Sequence, residues 1–431
     1  MSLIIRRSLM EKPTQSADLS VQTPDITRRT TVVGVCAAIA SAALPITASA
    51  QSKDIKVGFI LPLTGAFAEA GQLIKSAVDM AIEEINGAGG IKSIGGRIVA
   101  VYGNASSPDE ANTETSRMIS TEKVSAIVGA YSSGATISST VIAERASIPY
   151  IVPNALADEI TERGLKFVFK TVPHFSQFAI NGTQMVKDLS AKAKRPIKTV
   201  SLVRGNDFFG SVVGKAFSTH VGKSGLELVK DNIFPENPST FEDIIIALKG
   251  QNPDVVFAAG EPSSITLLFQ QLKELKYWPK LGWVGFGGGY TNPTVVQNLG
   301  SLAEGLLVIN DWFPDINRPG SKELNERFKK RTGGKDLLGN ANTTYAAVHI
   351  LADALQRAGS PDGTKIRDAL VATRITSGPA TFMYEQIAFD AKGMMPNSLL
   401  IGAQIQKGGA RVVWPNSLSV AESVWPVPAP R

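Results

Sequence analysis

From Ile55 onward the chain alternates between short runs of β-branched and apolar residues and longer segments whose apolar residues fall at helical spacing. This alternation constrains the fold more than any other feature. Strands that are each followed by a helix cannot pair as hairpins. The chain must cross back over one face of the sheet first, so the strands run parallel and helices cover both faces. Strands are predicted at Ile55–Leu61, Ile98–Tyr102, Val124–Val128, Ile148–Val152 and Phe167–Val172. Helices are predicted from near Gly71 to Ile85, from Pro108 through Ile119, and from Ser133 to Ala146.

The pattern then restarts. Helical segments at Phe178–Leu189, Phe209–Lys223, Phe241–Leu248 (with Ser239 as N-cap), Ser263–Lys276 and Pro293–Leu299 alternate with strands. Those strands are Thr199–Val203, Leu226–Phe234, Asp254–Ala259, Leu281–Phe286 and Gly305–Asn310. Three late helices (Ser321–Thr332, Thr343–Ala358, Gly363–Ala372) and strands at Gln386–Phe389, Leu399–Gln406 and Arg411–Trp414 have no sheet of their own. The economical solution returns the chain to both units, giving two doubly wound α/β lobes around a cleft. At 431 residues, with 43% hydrophobic and 19% charged, the chain has ample apolar material for two cores.

Ligands of such sheets bind beyond the carboxyl ends of the strands. The loops there are Pro62–Ala70, Ala130–Ser133, Val152–Ala157, Arg204–Phe209, Gly260–Ser264 and Gly287–Tyr290. The second carries the clearest chemistry. Gly129 breaks a buried strand and serines open the next helix, so first-turn N–H groups and a serine hydroxyl converge on one spot suited to an anion. Taken alone it reads as an ordinary N-capped turn. Its place among cleft loops makes it a candidate site.

Residues 1–50 carry the marks of an export signal: Arg6, Arg7, Lys12, Arg28 and Arg29, then an apolar run from Val32 to Leu44, then Ala48-Ser49-Ala50. The run is too short to span a bilayer, which takes roughly 20 residues. Thr27-Arg28-Arg29-Thr30 fits a twin-arginine signal; Thr31 and Val32 stand where large apolar residues would, so general secretion is the alternative. The single cysteine, Cys36, lies within this segment, so cleavage near Ala50 leaves no disulfide or thiolate chemistry. The remaining charge is mildly positive without a basic block, which argues against nucleic acid as a partner. His174, His220 and His349 lack metal-ligand spacing; His220 and His349, like Glu83-Glu84, read as helix-surface residues, and His174 sits at a lobe crossing. No arrangement joins a nucleophile to a base, and no metal or other cofactor is expected.

Several stretches together resemble the type I periplasmic binding proteins, and more closely the leucine/isoleucine/valine-binding branch of ABC-transporter substrate-binding proteins. They include Ile55–Gly65, Ala81–Asn86 with Gly89-Gly90-Ile91, Val128–Ser133, Asp207–Gly210, Pro253–Val256 and Thr344–Ala347, in order across residues 54–415. The resemblance implies two lobes joined by three crossings, near Val172–Phe175, Leu307–Phe313 and Met383–Ile387. The first lobe would then take residues 54–172 and 310–384, the second 173–309 and 385–415, with 416–431 a disordered tail. It also implies a periplasmic, monomeric receptor, not inserted in the membrane once the signal is removed. Such a receptor closes on a small carboxylate-bearing solute (an amino acid, amide derivative or aromatic acid) and delivers it to ABC permease membrane subunits. A ligand sensor signalling to a protein partner is the alternative on the same fold.

Carried over position by position, the ligand-binding residues are Thr64, Phe67, Tyr131, Ser132, Ser133, Ala155, Leu156, Phe209, Glu261, Gly287 and Tyr290. Tyr131–Ser133 would take the carboxylate. Three positions depart from the branch: Leu156 replaces a threonine, Phe209 a tyrosine, and Gly287 the glutamate that meets the ligand ammonium. Glu261 could take over that ammonium. Phe67, Tyr131, Phe209, Tyr290 and Trp312 are candidates for an aromatic lining.

Overall fold

The computed structural model describes residues 53–396 and 400–429. The expected export signal, its expected cleavage site and Cys36 lie outside the described residues. The first lobe begins with five strands, β1 (Lys53–Leu61), β2 (Gly96–Asn104), β3 (Ala126–Val128), β4 (Tyr150–Val152) and β5 (Val168–Lys170). They pair in parallel in the order β2-β1-β3-β4-β5. Their crossovers are α1 (Ala68–Gly87), α2 (Pro108–Arg117), α3 (Ser133–Arg145) and the short α4 (Glu159–Glu162). Strands β3, β4 and β5 are buried at every position, as strands covered on both faces must be. α2 starts where Ser107 and Glu110 cap each other's backbone N–H groups, with Pro108 at the first helical position.

The second lobe runs through α5 (Phe175–Lys192), β6 (Thr199–Gly205), α6 (Phe208–His220), β7 (Glu227–Phe234), α7 (Glu242–Gln251) and β8 (Val255–Ala259). It continues through α8 (Pro262–Glu274), β9 (Gly282–Phe286), α9 (Gly288–Thr291), α10 (Pro293–Leu299) and β10 (Leu307–Asn310). The last third supplies α11 (Ser321–Thr332), α12 (Gly339–Ala358), α13 (Gly363–Val371) and a small pair, β11 (Arg374–Ile375) with β12 (Ile387–Ala388). It closes with β13 (Ile401–Gln406) and β14 (Gly409–Trp414). These two strands extend the second sheet antiparallel beside β10, in the order β14-β13-β10-β9-β8-β6-β7. α12 returns to the first lobe, where the Tyr345 hydroxyl donates to Glu84 of α1. The late elements thus divide between the lobes. No helix of the described residues is long and apolar enough to cross a membrane.

Five local expectations are corrected. Residues 393–395 lie beside the first sheet, beyond the crossing expected near Met383–Ile387: Lys170 N donates to Gly393 O and Met395 N to Lys170 O. The described part of the tail is docked rather than disordered. Val427 N donates to Leu281 O, the Trp278 indole to Val427 O, and the Trp425 indole to Ser190 Oγ. Burying Val427 is worth about 1.5 kcal/mol. Ser239 does not cap α7; Phe241 occupies that position, its N–H donating to the Gln271 side chain. Glu84 and His349 are not on solvated faces. α12 packs on α1 and brings His349 Nε2 to 3.5 Å from the Glu84 carboxylate. Finally, Thr64 and Tyr290 stand apart from the other candidate ligand residues and do not line the cavity.

Candidate ligand-binding site

A cavity of about 290 Å³ lies between the lobes and takes its lining from both. The β3–α3 turn supplies Tyr131, Ser132, Ser133 and Gly134. Gly129 is required there: its φ is +152°, and a Cβ would lie 2.7 Å from the Ile60 carbonyl oxygen. Ser132 caps the helix, its hydroxyl accepting from Ala135 N at 3.3 Å. The next two N–H groups, of Ser133 and Gly134, have no carbonyl a turn earlier to bond, and the helix dipole adds partial positive charge at the same spot. The Ser133 hydroxyl is buried and accepts from Ala157 N, which ties the turn to the neighbouring loop.

That loop brings Ala155 and Leu156 to the cavity. It is held from behind by Lys170, fully buried, whose Nζ donates to Leu156 O at 2.9 Å and Ala157 O at 3.1 Å. Burial lowers the Lys170 ammonium to about pKa 7, against the smaller opposing pull of Asp158 and Glu162. His174 stays out of the lining, its Nε2 paired with the Thr161 hydroxyl at 2.8 Å. Tyr131 packs its ring on Phe67 at 5.0 Å, and its hydroxyl accepts from Asn340 Nδ2 at 2.9 Å.

From the second lobe come Phe209, Glu261 and Gly287. Phe209 stands edge-on to Phe175 at 5.4 Å, and a Cβ on Gly287 would touch the Phe209 ring. Asp207 caps α6 through Gly210 N. Glu261 occupies the N-cap position of α8 without making a side-chain cap. Half-burial raises its carboxyl above the usual range, and the charges of Asp207 and Glu236 raise it further.

The structure therefore gathers Phe67, Tyr131, Ser132, Ser133, Ala155, Leu156, Phe209, Glu261 and Gly287 around one cavity. Two expected residues lie elsewhere. Thr64 is exposed, its hydroxyl accepting from Asn104 Nδ2 at 2.8 Å, so it braces its own loop. Tyr290 is buried in the core behind β9, its hydroxyl accepting from the Trp283 indole; its ring fills the space that a side chain on Gly285 would take. Trp312 is likewise buried, donating to Leu337 O.

Several polar lining residues had not been expected: Asn154, Glu236, Asn310, Asp311 and Asn340. Asp311 is the most unusual. It directly follows β10, is 5% exposed, and its Oδ1 finds no hydrogen-bond partner among the described residues. Burial pushes its carboxyl up to about pKa 7. Its place in the second crossing, at the carboxyl end of a strand, was the available signal. Four carboxylates line the cavity (Asp207, Glu236, Glu261, Asp311), and no Lys, Arg or His does so among the described residues. The lobes touch beside it, where Gly134 of α3 meets Phe208 of α6, and Thr294 of α10 donates to Glu69 of α1 at 2.6 Å.

The sequence pattern of one family, described as periplasmic binding protein, matches residues 54–410. Leu/Ile/Val-binding protein homolog 7 of Brucella abortus is 31% identical over 392 residues, spanning 89% of this chain and 97% of that protein. Among solved structures, the branched-chain amino acid transporter substrate-binding protein LivJ of Streptococcus pneumoniae, in complex with isoleucine, superposes with a TM-score of 0.72 at 25% identity. That match covers 84% of this chain and all of the other. A solute-binding protein of an ABC transporter from R. palustris, in complex with benzoate, superposes with a TM-score of 0.70 at 21% identity, covering 86% and 98%.

Proposed function

This chain belongs to the periplasmic binding protein family, in its Leu/Ile/Val-binding branch, and we propose that it captures a small carboxylate-bearing solute for an ABC importer. It is a binding protein and not an enzyme. Members of the family reside in the periplasm; the export signal at residues 1–50 is the route by which this chain would reach it.

The observation that carries this reading is the α3 N-terminus facing the cavity, with the Ser133 and Gly134 N–H groups and two serine hydroxyls grouped at one end. A carboxylate seated there accepts charge-assisted hydrogen bonds from the first lobe. The rest of the solute meets Phe209, Gly287 and Glu261 of the second lobe. Contacts to both lobes favour the closed state over the open one, and a membrane permease would accept only the closed form. The occupants of the two similar solved structures, isoleucine and benzoate, both carry a carboxylate.

Thermal-shift screening of amino acids, amides and aromatic acids tests the reading. A ligand at a hundred times its dissociation constant adds about 2.7 kcal/mol of stability. Ser133→Ala should weaken binding of the best carboxylate by about tenfold. If primary amides stabilise the protein as well as their parent acids do, the carboxylate assignment fails.

A further inference from the structure

Away from the crossings, the lobes meet beside the cavity in two different ways. Gly134 and Phe208 touch without direction: a Cβ on Gly134 would lie 4.0 Å from Phe208 Cβ. Glu69 and Thr294 share a hydrogen bond, the Thr294 hydroxyl donating to Glu69 Oε2 at 2.6 Å. A hydroxyl that bonds an ionised carboxylate at that distance is at the strong end of its class. The bond also joins the walls of the cavity. Glu69 is two residues past Phe67 and Thr294 five past Gly289, and both Phe67 and Gly289 line the cavity.

Each partner is placed by its own lobe. Glu69 Oε1 accepts from Lys335 Nζ at 3.2 Å, and Lys335 follows α11, which Arg331 fastens to Glu83 of α1. The Thr294 hydroxyl holds the Glu69 carboxyl below the usual carboxylate range; Lys335 adds to this, against partial burial. In the second lobe Asn292 caps α10 by accepting from Thr294 N at 2.8 Å. These placing bonds use other atoms, Glu69 Oε1 and Thr294 N, so the bond between the lobes takes no internal bond from either.

Bonds at the crossings, such as Phe175 N to Leu156 O, join residues that move little as the lobes rotate. A bond beside the cavity breaks when the lobes part, so its free energy enters the open–closed equilibrium directly. We propose that Glu69 and Thr294 are positioning residues that latch the lobes together and populate the closed state before a solute binds. A larger closed population raises the affinity for every solute that fits the cavity, and by the same factor. The latch presupposes hinge closure as the means of capture, and is independent of the chemistry of the solute.

Pulsed electron resonance distances on the purified protein, stripped of co-purified solute, test the latch. Spin labels are attached at Asp109→Cys in the first lobe and Ser239→Cys in the second, both exposed positions, in a Cys36→Ser background. The otherwise unaltered protein should show a short-distance population. Thr294→Val and Glu69→Ala should each lower the closed-to-open ratio about three- to tenfold, the range for a charge-assisted hydrogen bond that is partly exposed. The double variant should lose no more than either single one, because both act through one bond. Neither side chain is buried, so these variants should fold as the wild type does. A single open distance in the otherwise unaltered protein overturns the latch, as does a ratio unchanged in either single variant, or losses that multiply in the double variant. No solute takes part, so the carboxylate reading stands or falls separately, on the thermal-shift comparison of acids with their amides.

Discussion

A buried lysine stands behind one wall of the cavity and a buried aspartate lies in the other, and the two are used in opposite ways. Lys170, behind the first-lobe loop, donates hydrogen bonds from its ammonium to Leu156 O and Ala157 O, so two of its three N–H donors are used within the protein. Asp311, at the crossing beside the second lobe, keeps an oxygen without a partner. Burial moves both toward neutrality, down to about pKa 7 for the lysine and up to about 7 for the aspartate. The first wall is thus held rigid by its own bonds and offers N–H and O–H donors. The second is acidic and incompletely satisfied.

The largest expected effect tests the unspent carboxylate. The folded-state pKa of Asp311 lies above its unfolded value, so the protein without ligand loses stability as pH rises from about 4 through about 7. Asp311→Asn removes this dependence. Near pH 8 it should be more stable than wild type by about 4 kcal/mol, and about equal near pH 4, in chemical unfolding followed by circular dichroism. An equal loss at both pH values would mean that the carboxylate is satisfied within the protein.

Next in size is Lys170→Met, which removes a donor from two loop carbonyls and should cost about 2 kcal/mol at neutral pH. It should also speed hydrogen exchange at Ala157 N. The Lys170 pKa is depressed on folding, so the wild type gains stability from about pH 7 up to about 10 relative to this variant, opposite in sign to Asp311. If the variant keeps wild-type exchange at Ala157, the contrast between the walls is wrong on the first-lobe side. Smallest is Ser132→Ala, which removes the α3 cap and should lower stability by about 1 kcal/mol in thermal denaturation. A loss confined to ligand affinity would place the Ser132 hydroxyl on the solute instead of on Ala135 N.

How much could be read from the sequence depended on the range of the physics involved. The turn that carries the candidate carboxylate site was legible because its glycine break and its capping serines are adjacent in the chain, although the Ile60 carbonyl that leaves no room for a side chain at Gly129 lies on another strand. Thr64 and Tyr290 were misplaced for the converse reason. Each lies on a correctly identified cleft loop, but the direction of its side chain is set by partners elsewhere, Asn104 in one case and Trp283 in the other. Phe209, Glu261 and Leu156 were found by position along the motif, although nothing local to them indicated the acidity of the whole cavity.

By itself, then, the sequence determined the two parallel α/β lobes, the shared last third and the helix start at Ser132. These follow from periodicity, glycine and capping, which act between near neighbours in the chain. The tertiary structure alone decided the docking of Trp425 and Val427, the pairing of residues 393–395 with β5, and the grouping of four cavity carboxylates with no Lys, Arg or His beside them among the described residues. Those depend on which distant surfaces meet once both lobes have formed, and on how much water each charge loses there.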